Sequence, residues 1–290
     1  TVQPVTFTNT RTAAPEVATS RLRIASFNVL NYFTTTGADA EKLGATCTYY
    51  DDREGNHITV NTCNAPSVRG AADAVSFARQ QAKIVAAINA LSADVVSLEE
   101  IENSSIVGDR RDAAVSALVD ALNAAAGTTR WAYAPSPMTV PSSEDVIRTA
   151  FIYNPATIEL VGPSVISTDT AFAKARYPLA QTFRPVGEDA NAFVVIANHF
   201  KSKGSCPTDS TDVNADHGQG CWNPVRTDEA NALVSFADAR KSAAQTDKVF
   251  LIGDLNAYTQ AAPVRAPTAA GHLDQGSKTG KYSYSFDIAS

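Results

Sequence analysis

DVVSLEEIEN, residues 94–103, runs from a short apolar segment, Val95–Leu98, straight into three carboxylates, Glu99, Glu100 and Glu102. Such a run predicts a buried β-strand. Strict alternation along it sends Glu100 and Glu102 to one side and Glu99 to the other. Carboxylates crowded at a strand end repel one another unless a cation or basic groups offset them. Hard divalent ions such as Mg²⁺ or Ca²⁺ take carboxylate oxygens while keeping several waters. A solvated strand terminus is the competing reading of this segment taken alone.

On either side of this strand, the same pattern recurs. LRIASFNVL (22–30), AFVVIAN (192–198) and KVFLIGD (248–254) are short β-type runs, each ending in polar groups: Asn28 and Asn31, then Asn198 and His199, then Asp254 and Asn256. Strands that deliver polar groups at their C-terminal ends can converge on one rim of a sheet. VIRTAFIYN (146–154) and PLAQTFRPV (178–186) are two further strand candidates. Helical periodicity is clear between Gly70 and Leu91, between Asp112 and Ala125, and between Pro224 and Arg240, the last with Asn223 at N-cap and Pro224 at N1. Helices falling between strands predict layered sheets flanked by helices. Residues 1–20, rich in Thr, Pro and Ala, read as a linker or an edge strand entering from a preceding domain.

The 290 residues are 44% hydrophobic and 19% charged, ordinary for a globular chain, and no run approaches the roughly 20 apolar residues that span a bilayer. Four cysteines fall in two similarly spaced pairs, Cys47 with Cys63 and Cys206 with Cys221, each enclosing a polar interval without helical period. Neither pair has the Cys-x-x-Cys spacing of a zinc knuckle, so two local loop-closing disulfides are expected. Disulfides persist outside the reducing cytosol, which predicts an exported protein. The net charge of −6 excludes recognition of a polyanion by global charge alone. A nucleic-acid substrate would need a local basic patch and metal ions, whereas a smaller phosphate ester would not.

NHFKSKG, residues 198–204, places a histidine before Lys201 and Lys203, and GDLN, residues 253–256, offers Asp254 and Asn256 on what reads as extended backbone. Histidine can donate a proton or a hydrogen bond to phosphoryl oxygens, and a carboxylate can orient or deprotonate water. A buried structural histidine and a Gly-Asp-x-Asn turn are the bland alternatives. Taken in order, the Asn of SFNVLN, the LEE glutamate, the NH histidine and the GDLN pair resemble the successive motifs of the endonuclease/exonuclease/phosphatase (DNase I-like) superfamily. FNVLNYFTT, LEEIEN, RYPLAQTF, NHFKSKGS and GDLNAYTQ are more specifically similar to a bacterial extracellular nuclease branch, whose catalytic module often follows other domains in a longer secreted chain. The resemblance covers about Leu22 to Tyr258.

The resemblance implies an α+β fold: a four-layer α/β/β/α sandwich of two packed mixed sheets, formed by residues 21–290. It implies that Glu100 holds a divalent metal, Mg²⁺ first with Mn²⁺ or Ca²⁺ as alternatives, with Asn28 orienting that metal or a phosphate oxygen. Asp254 would handle the attacking water, Asn256 would donate to the scissile phosphate, and His199 would stabilise developing charge or protonate a leaving oxygen. Arg176, in ARYPLAQ, is similar to the family's phosphate-contacting arginine; Arg148, Lys201, Lys203 and Asn198 are further candidates for substrate contact. The implied activity is that of a secreted, metal-dependent nuclease acting on extracellular DNA or RNA. A phosphatase or sphingomyelinase-like lipid phosphodiesterase, or a binding module that has lost catalysis, are the alternatives on the same scaffold.

One departure stands out. The superfamily closes its sandwich with strands bearing a further Asp and a final Ser-Asp-His, whereas this chain ends KYSYSFDIAS, with His272 followed by Leu273. The expectation is that the closing strands lie outside these 290 residues and that the natural protein is a full nuclease, because missing strands would leave open sheet edges. The alternative is a chain that ends at Ser290 and lacks half of its metal and proton-transfer equipment. Asp274 and Asp287 have no surroundings in the sequence that mark them as substitutes.

Overall fold

A computed structural model describes residues 20–279. The reading of residues 1–19 as a linker, and YSYSFD with Asp287, lie outside the described residues. The elements in chain order are β1 (Ile24–Tyr32), α1 (Gly37–Lys42), β2 (Cys47–Asp51), β3 (His57–Cys63), α2 (Ala74–Leu91), β4 (Val95–Glu102), α3 (Ala113–Ala126), β5 (Ala132–Tyr133) and β6 (Ile147–Tyr153). They continue with β7 (Ile158–Leu160), β8 (Val165–Ile166), β9 (Arg176–Pro185), β10 (Phe193–His199), α4 (Asn223–Ala244), β11 (Val249–Asp254), α5 (Ala262–Ala269) and α6 (Gln275–Thr279).

Two mixed sheets form. The first has the order β1-β4-β6-β5, with β1 parallel to β4 and the other pairs antiparallel. The second has the order β11-β10-β9-β7, with β10 parallel to β11 and β8 added alongside β9. β4 explains why the sheets stack. Val96 and Leu98 pack with Ile84, Ile88, Leu118 and Leu122 of α2 and α3, while Val95 turns to the opposite side and packs with Phe183, Val195 and Ala197 of the second sheet. A strand buried on both faces reads as a continuous apolar run, as this one does. Each fully buried Val or Leu contributes about 1.5–3 kcal/mol of hydrophobic stabilisation. On the far side of the second sheet, Val194 and Ile196 meet Ala230, Leu233 and Ala237 of α4. The layer order is therefore helix, sheet, sheet, helix, as the resemblance implies.

Local signals account for the helix ends, with small shifts from the sequence reading. α2 begins at Ala74 rather than near Gly70, because the Asp73 side chain accepts from the Ser76 N–H at 2.7 Å and caps it. Gly70 serves a different purpose: its φ is +86°, and a Cβ there would lie 2.3 Å from the Asn31 carbonyl oxygen. α4 begins one residue early, at Asn223, with Trp222 in a left-handed conformation at the cap position.

Both disulfides form, Cys47–Cys63 and Cys206–Cys221. The first joins directly opposed residues of the β2–β3 hairpin. Cys63 packs with Phe33, Val60 and Val68 in a small satellite core. Closing a loop of this size is worth about 3 kcal/mol in the chain-entropy model. Replacing Cys47 and Cys63 together with serine is expected to lower the thermal midpoint by roughly 6–12 °C. Differential scanning calorimetry of the oxidised protein and the double variant checks this; an unchanged midpoint would show that the hairpin is held by its packing alone. No helix among the described residues is long and apolar enough to cross a membrane.

Candidate active site

The C-terminal ends of β1, β4, β10 and β11 meet at one rim, and the backbone there is irregular. Between Asn28 and Tyr32, β1 carries three residues opposite the single Glu100 of β4, and β4 in turn carries two residues, Glu99 and Glu100, opposite Thr149 alone of β6. Leu30, Asn31, Glu100 and Asn256 have φ of +51°, +53°, +65° and +47°, half of the eight non-glycine residues in this conformation among the described residues. Left-handed backbone at non-glycine residues costs of order 1–3 kcal/mol each, and it concentrates where a site must aim a side chain. Here Gln80 of α2 supports the distortion by donating to the Leu30 and Asn31 carbonyls at 2.8 and 3.3 Å.

The bulge separates the three carboxylates in a way that simple alternation does not describe. Glu100 accepts from the Asn28 amide at 2.9 Å and from the Asn31 N–H at 3.0 Å. Glu102 turns away and accepts from the N–H and hydroxyl of Thr34, both at 2.8 Å. Glu99 is fully buried and accepts from the hydroxyls of Ser97 and Ser26. Burial first, with smaller contributions from the charges of Asp254 and Glu100, pushes the Glu99 carboxyl up to about 8. Burial thus favours the neutral form of this carboxyl, behind the carboxylates of Glu100 and Asp254.

Asn28 is the hub. Its amide nitrogen also lies 3.4 Å from Asp254 Oδ2, and its oxygen accepts from the Leu30 N–H at 2.8 Å. His199, 3% exposed, has Nε2 at 3.8 Å from Glu100 and 3.9 Å from Asp254, beyond hydrogen-bond reach of either. Burial, then the guanidinium groups of Arg176 and Arg69, holds its pKa well below the ordinary histidine range. Two carboxylates favour the charged ring, but neither touches it, so burial prevails and the imidazole is neutral.

Asp254 and Asn256 do not share an extended strand. β11 ends at Asp254, whose Oδ1 accepts from the Asn256 N–H at 2.9 Å in an Asx turn, the bland alternative for this segment. The Asn256 amide donates to the Phe200 carbonyl at 3.1 Å, as does Arg176 at 2.7 Å. Arg176 is almost fully buried, and one of its nitrogens lies 3.8 Å from Asp145.

Two expected substrate contacts are corrected. Arg148 is buried and donates to Asp112 at 2.8 Å and to the Arg111 carbonyl at 3.0 Å, so it anchors the start of α3 instead of facing a phosphate. Asn198 is wholly buried, and its amide bridges the Ile196 and Ile252 carbonyls of β10 and β11. Gly253 permits the close approach of the two backbones there, since a Cβ would lie 2.1 Å from the Asn198 backbone carbonyl oxygen. Lys201 and Lys203 stand just beyond His199, their ammonium groups over the rings of Trp222 and Tyr258.

Arg226 and Glu229 are residues the sequence reading missed. Both are fully buried on α4, where Glu229 accepts from the Lys201 N–H at 3.0 Å and Arg226 donates to the Lys201 carbonyl at 3.1 Å. Their signal was present: they occupy the same stripe as Ala230, Leu233 and Ala237, where a solvated charge does not belong. Burial raises the Glu229 carboxyl to about 7. Its folded pKa lies above the unfolded value, so the folded state binds the extra proton between about pH 4.5 and 7, and stability falls as pH rises through that window. Glu229→Gln is expected to flatten this fall, measured as the difference in urea midpoint between pH 5 and pH 8. An equal difference in both proteins would refute the assignment.

The donor set suits a hard cation with open coordination. Glu100 and Asp254 both bring carboxylate oxygens to the Asn28 amide nitrogen, and Mg²⁺-like ions use one or two carboxylates, waters and substrate phosphate. Among the described residues no group of three or more His, Cys, Asp or Glu side chains forms a dedicated metal cage.

The model of the endonuclease/exonuclease/phosphatase family matches residues 25–288. The chain belongs to this family. No curated protein matches this family member significantly. Among solved structures it is similar to the human Nocturnin catalytic domain with bound sulfate anion, at 17% identity and a TM-score of 0.44, over 67% of this chain and 62% of that one. It is also similar to ANGEL2, a 2',3'-cyclic phosphatase, in complex with adenosine-2',3'-vanadate (11%, TM-score 0.44, over 81% and 53%), and to humanized D. rerio TDP2 (14%, TM-score 0.41, over 70% and 68%). The chain thus spans less than two thirds of the Nocturnin and ANGEL2 chains.

Proposed function

We propose that this family member is a secreted phosphodiesterase that hydrolyses nucleic acid, of the bacterial extracellular nuclease type. The observation that carries the reading is the convergence of four strands at one rim, where Glu100 and Asp254 each lie 2.9–3.4 Å from the Asn28 amide and 3.8–3.9 Å from His199 Nε2. The two disulfides support an oxidising compartment.

Glu100, with Asn28 beside it, would hold a divalent cation, Mg²⁺ in the first instance, which when bound supplies Lewis-acid stabilisation of the phosphoryl and leaving oxygens. Asp254 is suited to take a proton from the attacking water through Oδ2, because its Oδ1 is fixed by the Asn256 N–H. As the water oxygen bonds to phosphorus, the opposite P–O bond breaks and the leaving oxygen takes a proton from solvent. The neutral His199 ring serves as a hydrogen-bond donor to a phosphoryl oxygen, pre-oriented by its burial. Arg176 holds the Phe200 carbonyl, and so the backbone that follows His199.

Purified protein incubated with plasmid DNA and with RNA, in Mg²⁺, Mn²⁺ or Ca²⁺ and with EDTA, tests the reading. Metal-dependent, EDTA-sensitive cleavage is the expected result. Release of phosphate or headgroup from small esters with nucleic acid left intact would overturn the substrate, and inactivity of a folded protein on every substrate would overturn the enzyme. The net charge of −6 is the one observation on the side of the small ester.

A further inference from the structure

Three lysines lie on two aromatic rings beside the rim. The ammonium groups of Lys174 and Lys201 sit 5.0 and 5.1 Å from the centroid of the Trp222 ring, and that of Lys203 sits 3.9 Å from the centroid of Tyr258. Cation–π contact of this kind pre-positions a charge while leaving it attractive to an anion. The arrangement is built. The Trp222 indole N–H donates to the Gly204 and Ser205 carbonyls, both at 3.1 Å, and Trp222 follows Cys221 of the second disulfide. Gly220 lacks a side chain where the Lys203 stem passes, 2.7 Å from where a Cβ would be.

Position ties this cluster to the site. Lys174 lies two residues before Arg176, Lys201 two after His199, and Tyr258 two after Asn256. Neither Lys174 nor Lys201 has a carboxylate within ion-pair distance among the described residues, in a protein where acidic side chains outnumber basic ones, 30 to 24. Burial first, then the charges of Arg176 and Arg226, lowers the Lys201 pKa, and Glu229 offsets only part of that shift. Tyr258 is half exposed.

We propose that Lys174, Lys201, Lys203, Trp222 and Tyr258 form a platform for a single-stranded nucleic-acid segment flanking the scissile phosphate, its phosphates on the ammonium groups and a base on Tyr258. The proposal rests on the phosphodiesterase reading of the neighbouring rim and makes its substrate a polymer. Basic grooves interleaved with aromatic rings bind single strands because every base presents a π-face and every linkage a charge. An acidic peptide would satisfy the lysines but has no base to cover the exposed half of Tyr258.

The test is binding of a fluorescein-labelled 12-nucleotide DNA single strand, read by anisotropy in EDTA at several salt concentrations, to the wild type and to the K174E/Y258A variant. The wild type is expected to bind with strong salt dependence. The variant is expected to bind at least tenfold more weakly and with a shallower slope, by about 0.7 for each phosphate that is no longer neutralised. Equal affinities, no binding by the wild type at low salt, or equally effective competition by a polyglutamate peptide would each overturn the platform. Because EDTA suppresses metal-dependent turnover, the platform can stand if the rim proves inactive and fall if it proves active. In the active enzyme the variant is also expected to lower the ratio of kcat/KM for the oligonucleotide to that for bis(p-nitrophenyl) phosphate at least fivefold.

Discussion

His199→Ala is expected to lower kcat for phosphodiester cleavage by about 10²–10⁴-fold, the range over which a positioned proton-transfer or hydrogen-bonding group contributes. The loss should fall on kcat more than on KM, because the neutral imidazole is aimed at charge that develops in the transition state. Nε2 faces the oxygens of Glu100 and Asp254 from just beyond hydrogen-bond distance, which leaves it free to turn to a phosphoryl oxygen. The ring is buried at the last residue of β10, flanked by antiparallel β9 and parallel β11. Its truncation therefore leaves the ladders intact, and a circular dichroism spectrum and a cooperative thermal transition close to those of the wild type are expected. Wild-type turnover in a folded H199A variant would remove His199 from the mechanism. Since burial keeps the ring neutral, the activity of the wild type should show no loss as pH rises from 6 to 8 through the ordinary histidine range.

Arg148→Ala is expected to act on stability instead, by about 3–5 kcal/mol, because it removes the buried cation paired with the Asp112 carboxylate beside the first turn of α3. In a domain of this size that corresponds to a fall in thermal midpoint of roughly 6–20 °C. The guanidinium is buried, which pulls its pKa down to about 10, and Asp112 offsets part of that cost. Asp112 also accepts from the Ser136 N–H and hydroxyl at 2.9 and 2.6 Å, so its neighbourhood ties α3 to the segment before β6. Calorimetry together with KM for an oligonucleotide, measured well below the midpoint, separates the two roles. A normal midpoint with a raised KM would return Arg148 to the substrate-binding surface.

Much of the layer order was legible because β4 is apolar on both faces and α2, α3 and α4 carry a stripe on one. Those periods follow from burial alone, and burial is what the side chains encode. The rim was less legible. Alternation along LEEIEN assigned Glu99, Glu100 and Glu102 to faces that the double bulge of β1 and β4 rearranges. Nothing in the residue types of Leu30 or Glu100 announces a left-handed φ; Gln80, fifty residues away, helps to hold it. Likewise Arg148 and Asn198 have side chains that suit a phosphate, and only their burial against Asp112 and against two strand carbonyls assigns them to the scaffold.

The sequence alone determined the family motifs, the pairing of the cysteines within two local pairs and the buried strands that deliver polar groups to their ends. These depend on local pattern and on short loops, which residue identity controls directly. The tertiary structure decided which polar groups meet. Asn28 and Asp254 are 226 positions apart, and their contact exists only because two sheets stack with four strand ends at one edge. It also decided which charges are exposed, since a buried Glu229 and a solvated one are the same letter. Desolvation, the term that separates them, belongs to the packed molecule and not to the chain.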